Sequence, residues 1–255
     1  IDAGSGFVDL SKDALKEGIK QMGIVFTHYH HDHTQGIFLA PHTFCADAVT
    51  VWGPYEHGVG PQEVLATLMR APFFPVEFEK VAQRFHFKPL KHIGTQVLVF
   101  HPQGGSHLMP FNIYQKTVAQ GKQLAFRTGR YNVDECLVVT MFITAHPEYT
   151  VSYRFEEKPT GRTFVFLTDH EVTAGFPKDL RAHLSGAHLL IQDGQYPVER
   201  YLRETAGFGH GTPEYCTDTA IAAGVHKLGI THHDPNATDT DIENRLHEAQ
   251  EHARK

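Results

Sequence analysis

Thr27-His28-Tyr29-His30-His31-Asp32-His33-Thr34-Gln35-Gly36 is the stretch on which the reading of this chain turns. His28, His30, Asp32 and His33 place four metal-binding groups within six residues. Zinc takes imidazole nitrogen and carboxylate oxygen at roughly 2.0–2.2 Å, and a site left incompletely ligated keeps a position for water. The residues just before, Ile24-Val25-Phe26-Thr27, read as a short buried strand. On a tight loop leaving that strand, alternate residues His28 and His30 can point to one ion while Asp32 and His33 turn to another. The rival reading is a solvated histidine-rich loop. With 20 histidines in the chain, chance pairs are expected. The full spacing, closed by Gly36, goes beyond a chance pair.

Working outward, 255 residues are enough to bury a substantial core in one layered α/β domain. Hydrophobic residues at 41% and charged residues at 20% give a globular balance. No apolar run approaches the roughly 20 residues of a membrane-spanning helix, so no membrane partner is expected. A net charge of −6 and the lack of any Lys/Arg-rich block argue against a long nucleic acid as substrate, though not against a small phosphoester. Cys45, Cys136 and Cys216 form neither a disulfide framework nor a Cys-x-x-Cys knuckle, so a cytoplasmic setting is expected. The chain starts at Ile1, in what reads as the end of a strand, and a short N-terminal piece, with any signal peptide, is expected to be missing. A homodimer is compatible with a compact enzyme of this size.

Helices and strands alternate. Ser11 is expected to cap a helix running to about Met22, with Leu15, Ile19 and Met22 on one face and Gly23 as the stop. Strands are expected at Thr163–Thr168, Leu189–Ile191 and Leu228–Thr231, each running into polar residues: Asp169-His170-Glu171, Gln192-Asp193 and His232-His233-Asp234. Thr212-Pro213 caps a helix that ends at Gly224. A last helix from about Asp239 to Ala253 carries Ile242, Leu246 and Ala249 at helical spacing. Residues 41–131 are looser, with strand-like Val49–Trp52, an amphipathic stretch near Glu63–Arg70 and a Phe73-Phe74-Pro75 run read as buried aromatic core. They are taken as an elaboration within a single domain spanning 1–255.

His28-x-His30-x-Asp32-His33 followed closely by glycine resembles the signature of the metallo-β-lactamase superfamily. Other positions match its markers in order, each at a strand end. The resemblance implies a four-layer αββα sandwich with two divalent metal ions, zinc first and manganese or iron also accepted. It implies that Asp2 supports the metal loop without ligating. One ion would be held by His28, His30 and His146, the other by Asp32, His33 and His232, with Asp169 shared. His101-Pro102 repeats the His146-Pro147 dipeptide, but only His146 is followed by a strand, Val151–Arg154, and then by the Asp169 unit. His232 directly follows its strand, which leaves His233 beside the site or on the surface; His31 receives no role.

Fold alone does not name the reaction. Asp193-Gly194-Gln195-Tyr196, then Gly209-His210-Gly211-Thr212, resemble the acid-x-x-aromatic and His-x-Thr segments of the phosphodiesterase branch. That branch includes ribonuclease Z and small cyclic-nucleotide and cyclic-phosphate phosphodiesterases. Carried over, His210 assists the leaving group and Asp193 orients it, since a carboxylate favours a protonated, donating histidine. Asp193-Gly194-Gln195 stands where the endonucleases have Glu-Ala-Thr, which loosens the transfer. The expected chemistry is attack by a metal-activated hydroxide on a small, cyclic phosphodiester, with Asp32, Asp193 and His210 as catalytic residues. The alternatives are a lactonase or β-lactamase-type ester or amide hydrolase, and a catalytically silent metal-binding protein of the same fold.

Overall fold

The computed structural model describes residues 1–40, 43 and 46–255. Cys45 lies outside the described residues; Cys136 and Cys216 are buried free thiols. The expected mixed α/β architecture is observed, in two compact units, Ile1–Lys91 and His92–Lys255.

The first unit is built on a parallel sheet of β1 (Gln21–Val25), β2 (Ala48–Pro54) and β3 (Phe85–Leu90), in that order. Ile24, Val49, Val51, Phe78 and Phe85 pack one core with Phe7 and Ile37. The expected Ser11–Met22 helix is corrected here. The helix runs Phe7–Lys16, and Ser11 lies inside it, buried with Phe7 and Ala14 at one-face spacing. Leu15 and Ile19, expected on the packed face, are 47% and 45% exposed. Gly18 at φ +67° turns the chain out, and Met22 pairs with Val49 in β1 instead of continuing a helix. Backbone pairing to a neighbouring strand outweighs the helical spacing of a few apolar residues. Phe73 is also corrected: it is 69% exposed, and Phe74 alone of that pair leans on the core.

The second unit carries a seven-stranded sheet. Its order is β12 (Leu228–Thr231), β11 (Leu189–Asp193), β10 (Arg162–Leu167), β9 (Val151–Glu157), β8 (Leu137–Ile143), β4 (Gln96–His101) and β5 (Gly105–Pro110). β10, β11 and β12 are parallel neighbours, while β10–β9 and β9–β8 are antiparallel. Two reversals make β8 run in the same sense as β10. The C-terminal ends of β8, β10, β11 and β12 therefore share one edge of the sheet. Val165, Leu167 and Leu190 pack against Leu180, Leu184 and Ala220 of the helices Lys178–Leu184 and Pro213–Ala222.

The Pro213–Ala222 helix begins as expected, with Thr212 Oγ1 accepting from the Tyr215 N–H. In the last helix, Asp239–His252, Arg245 takes a buried position and Leu246 is 53% exposed, which corrects the expected apolar face. The described part of the stretch 41–131 is more regular than its sequence suggests. It contributes β2 to β5, the helix Phe111–Ala119 and a hairpin of β6 (Leu124–Phe126) with β7 (Gly129–Tyr131). Its apolar side chains are spread over many short elements, which hides their period. Among the described residues, no helix is long and apolar enough to cross a membrane.

Candidate metal centre

In the first unit, the chain leaves β1 through Phe26 and Thr27 and runs extended to His30, then makes a helical turn, His31–Thr34. Tyr29 points its hydroxyl to the Pro54 carbonyl at 2.7 Å, so its neighbours His28 and His30 fall on the other side. The His28 ring centroid is 4.5 Å from that of His30 and 4.2 Å from that of His33. His31 is exposed.

Asp2 organises this loop. Held at φ +55°, it accepts from the Thr27 N–H at 2.7 Å, the Thr27 hydroxyl at 2.9 Å and His33 Nδ1 at 2.9 Å. Because the Thr27 hydroxyl donates to Asp2, it accepts from His28 Nδ1, 3.2 Å away. Both histidines thus carry their proton on Nδ1 and keep the Nε2 lone pair for a metal. His33 Nε2 lies 3.2 Å from the Asp32 carboxylate. Gly36 is needed for close approach: its N–H donates to the Ala3 carbonyl at 2.7 Å, and a Cβ there would sit 2.0 Å from the Gly4 oxygen.

In the second unit, His146, Asp169, Asp193 and His232 lie at the shared strand edge. His146 Nδ1 donates to the Gly209 carbonyl at 3.1 Å, which again leaves Nε2 as the lone-pair nitrogen. That Nε2 is 4.0 Å from Asp169 Oδ2 and 3.6 Å from the carboxylate of Glu148. His232 Nε2 is 3.5 Å from Asp169 Oδ1. Asp169 and His232 both sit in the left-handed region, at φ +49° and +59°. Non-glycine residues seldom adopt it, and such strain gathers where a side chain must be aimed. The Thr168 hydroxyl donates to Asp169 Oδ1 at 2.6 Å, and the Thr144 hydroxyl donates to the Asp169 carbonyl.

Asp193 is fully buried, accepting from the Gln195 N–H at 3.0 Å, the His170 N–H at 3.3 Å and His210 Nδ1 at 2.9 Å. Burial pushes its carboxyl up, and the hydrogen bond from His210 acts in the opposite direction. Nδ1 of His210 is thus committed to Asp193. The His210 ring stacks on that of His232 at 4.9 Å and lies edge-on to His146 at 5.5 Å and Tyr196 at 5.9 Å. Ligand atoms of Asp169, His210 and His232 all fall within 4.8 Å of one another.

Four expected residues, His28, His30, Asp32 and His33, thus share one loop of the first unit. Five, His146, Asp169, Asp193, His210 and His232, gather in the second. His101 is occupied elsewhere: its Nδ1 accepts from the Gln103 and Gly104 N–H groups, and its ring stacks on Tyr131. His233 is half-buried, and burial lowers its pKa.

Two residues escaped the sequence reading. His170 is buried and accepts from the Ala145 N–H through Nδ1, so its Nε2 donates to the Tyr215 hydroxyl at 3.2 Å. Burial pushes it down to about 4. Glu171 accepts from the N–H groups of Gly207 and Gly209. Their position directly after Asp169 was the available signal; their partners, 25 to 45 residues away along the chain, were not visible.

The beta-lactamase superfamily domain matches residues 1–233. No curated protein sequence matches. Among solved structures, the chain is similar to Zn(2+)-bound PqqB from Methylobacterium extorquens at 14% identity and a TM-score of 0.58, over 99% of this chain and 76% of that one. It is similar to human tRNase Z, short form, at 20% identity and a TM-score of 0.55, over 91% of this chain and 80% of that one. Unliganded yeast PDE1 is similar at 14% identity and a TM-score of 0.55, over 91% of this chain and 63% of that one. At these identities the likeness establishes the fold alone.

Proposed function

Because the chain belongs to the beta-lactamase superfamily, whose members are mostly metal-dependent hydrolases, we propose that it is a dinuclear metal-dependent phosphodiesterase acting on a small phosphodiester, cyclic nucleotides and cyclic phosphates first. His28, His30 and His146 would hold one ion, and Asp32, His33 and His232 the other, with Asp169 shared. The donors suit zinc, manganese or iron: imidazoles whose Nδ1 protons are committed, leaving Nε2, together with carboxylates. Such ions, when bound, supply Lewis-acid charge stabilisation and activate water near neutral pH.

The observation that carries the phosphodiester reading is the Asp193–His210 pair. Its buried carboxylate fixes His210 Nδ1 at 2.9 Å, and a ring nitrogen of this imidazole lies within 4.8 Å of ligand atoms of Asp169 and His232. An imidazole so held can keep a proton at Nε2 for a departing alkoxide. Asp193 acts by fixing the ring; His210 touches the leaving oxygen. The fold neighbours named tRNase Z and PDE1 support this substrate class, and the Zn(2+)-bound PqqB supports zinc. The net charge of −6 supports a small substrate over a long nucleic acid.

The test is a screen of metal-reconstituted protein against cyclic nucleotides, bis(p-nitrophenyl) phosphate, lactones and β-lactams. Phosphodiester turnover that is lost in Asp169→Ala and His30→Ala is expected. Turnover of lactones or β-lactams alone would replace this reading with carboxylic ester or amide hydrolysis. About two equivalents of metal by elemental analysis are expected.

A further inference from the structure

The loop before His210 is held in an unusual way. Its two large apolar side chains do not anchor it: Leu202 is 72% and Phe208 56% exposed. Glu171 does. One carboxylate oxygen accepts from the Gly209 N–H at 2.7 Å and the Gly207 N–H at 3.1 Å, and the other accepts from the Tyr201 hydroxyl. Glu171 is itself tied by its own N–H to the Ala145 carbonyl at 2.7 Å, next to His146.

The clamped segment faces two histidines at once. The Gly209 carbonyl accepts from His146 Nδ1, and the next residue is His210, held at Nδ1 by Asp193. Gly209 sits at φ +96°, and a Cβ there would fall 2.1 Å from His146 Nδ1. The peptide can meet the imidazole only without a side chain.

We propose that Glu171 is a positioning residue that orients His146 and His210 together by holding the 207–209 segment. This rests on the roles given above to those two histidines. A carboxylate two residues beyond the bridging aspartate position couples a metal ligand to the residue that protonates the leaving group. Shifting the segment would move the proton acceptor of His146 and the backbone of His210 in one step.

Three variants test it. Glu171→Ala removes the acceptor of both backbone N–H groups, and Glu171→Asp withdraws it by one methylene while keeping the charge. Glu171→Gln keeps an amide oxygen for both N–H groups and offers its NH2 to the Tyr201 hydroxyl. Each is measured by Co²⁺ titration with the visible absorption band, by kcat and KM on bis(p-nitrophenyl) phosphate, and by urea unfolding. Loss of an outer hydrogen-bond partner of a metal ligand typically costs about 10–100-fold in affinity or activity. The expected result is a loss of that order in kcat and Co²⁺ affinity for the Ala and Asp variants, with a changed absorption band and KM little altered. The Gln variant is expected to stay within about threefold of wild type, in the range of a neutral-for-charged hydrogen-bond exchange.

Wild-type Co²⁺ affinity, band and kcat in the Asp variant would overturn the proposal, as would a Gln variant damaged as badly as Ala. The Asp variant keeps the test decisive where Ala does not fold. If the wild type turns over no phosphodiester, the Co²⁺ titration still separates Gln from Asp, so a failed substrate reading is distinguishable from a failed clamp.

Discussion

The histidine loop of the first unit and the strand edge of the second gather histidines and carboxylates by opposite routes. In the loop, contiguous residues supply the donors, and one carboxylate, Asp2, sets the ring orientation of both His28 and His33. At the edge, the groups come from different strand ends and from the loop before the Pro213–Ala222 helix, and each has its own support: Gly209 for His146, Asp193 for His210, Thr168 for Asp169. A cluster written in one stretch needs one support, whereas a dispersed cluster needs a sheet to bring its members to one edge and a separate partner for each. Damage should spread differently in the two.

The largest effect is expected at the proposed bridging residue. Asp169→Ala, or removal of metal by chelation, is expected to take phosphodiester turnover to background. Chelation should also lower the urea midpoint of the wild type, because bound ions stabilise only the folded state.

Asp2→Ala should break the loop as a unit. It deprives two N–H or O–H donors of Thr27 and one ring nitrogen of His33 of their acceptor. Each buried donor left unpaired costs about 1–3 kcal/mol, so a fall in unfolding free energy of several such increments is expected in urea titration, together with weaker metal binding. Asp193→Asn, by contrast, should lower kcat by about 10²–10⁴-fold, the span of a general acid's contribution, with metal content by elemental analysis unchanged. Equal loss of metal in both variants would erase the distinction between shared and separate supports.

A histidine outside both sets sharpens the contrast. His183 is buried, and its Nε2 donates to the Ser152 hydroxyl, which itself donates to the Phe166 carbonyl. Burial, aided by Arg154, pushes it down to about 3. Its folded pKa is depressed below the unfolded value near 6.5, so the unfolded chain binds the extra proton. The stabilising contribution is therefore complete above about pH 6.5 and is lost as pH falls toward 3, by up to ~1.4 kcal/mol per pH unit. Urea titrations of wild type and His183→Asn across pH 4 to 7 should show the slope in the first and a flatter one in the second.

The smallest effect is expected at Phe73→Ser. At 69% exposure the change should stay within about 0.5 kcal/mol in thermal unfolding. A larger loss would show that the Phe73-Phe74 pair acts as core after all.

What was legible followed from how far partners lie along the chain. The His28–His33 motif, the Thr212-Pro213 helix start and the strands at 163–168, 189–191 and 228–231 are local patterns, and they read directly. The helix misread through Met22 shows the limit, since Met22 is claimed by Val49 across the sheet. The regularity of 41–131 was hidden because its strands are short and each buries only a few side chains. The buried place of Arg245 in the last helix was likewise invisible, because its guanidinium donates to the Gln195 carbonyl, 50 residues away.

The residue types and spacing in the sequence determined by themselves that this chain carries histidines and carboxylates of the kind that bind metal at strand ends, because ligand chemistry is a property of side chains and their order. Only the tertiary structure decided which ring nitrogen is turned to a partner and which is left over in His28, His33, His146 and His210. That depends on where Asp2, Gly209 and Asp193 place their oxygens. It also decided that Glu171, silent in the sequence, holds the segment between two of those histidines, because a hydrogen bond spanning 38 residues exists only once the chain is folded.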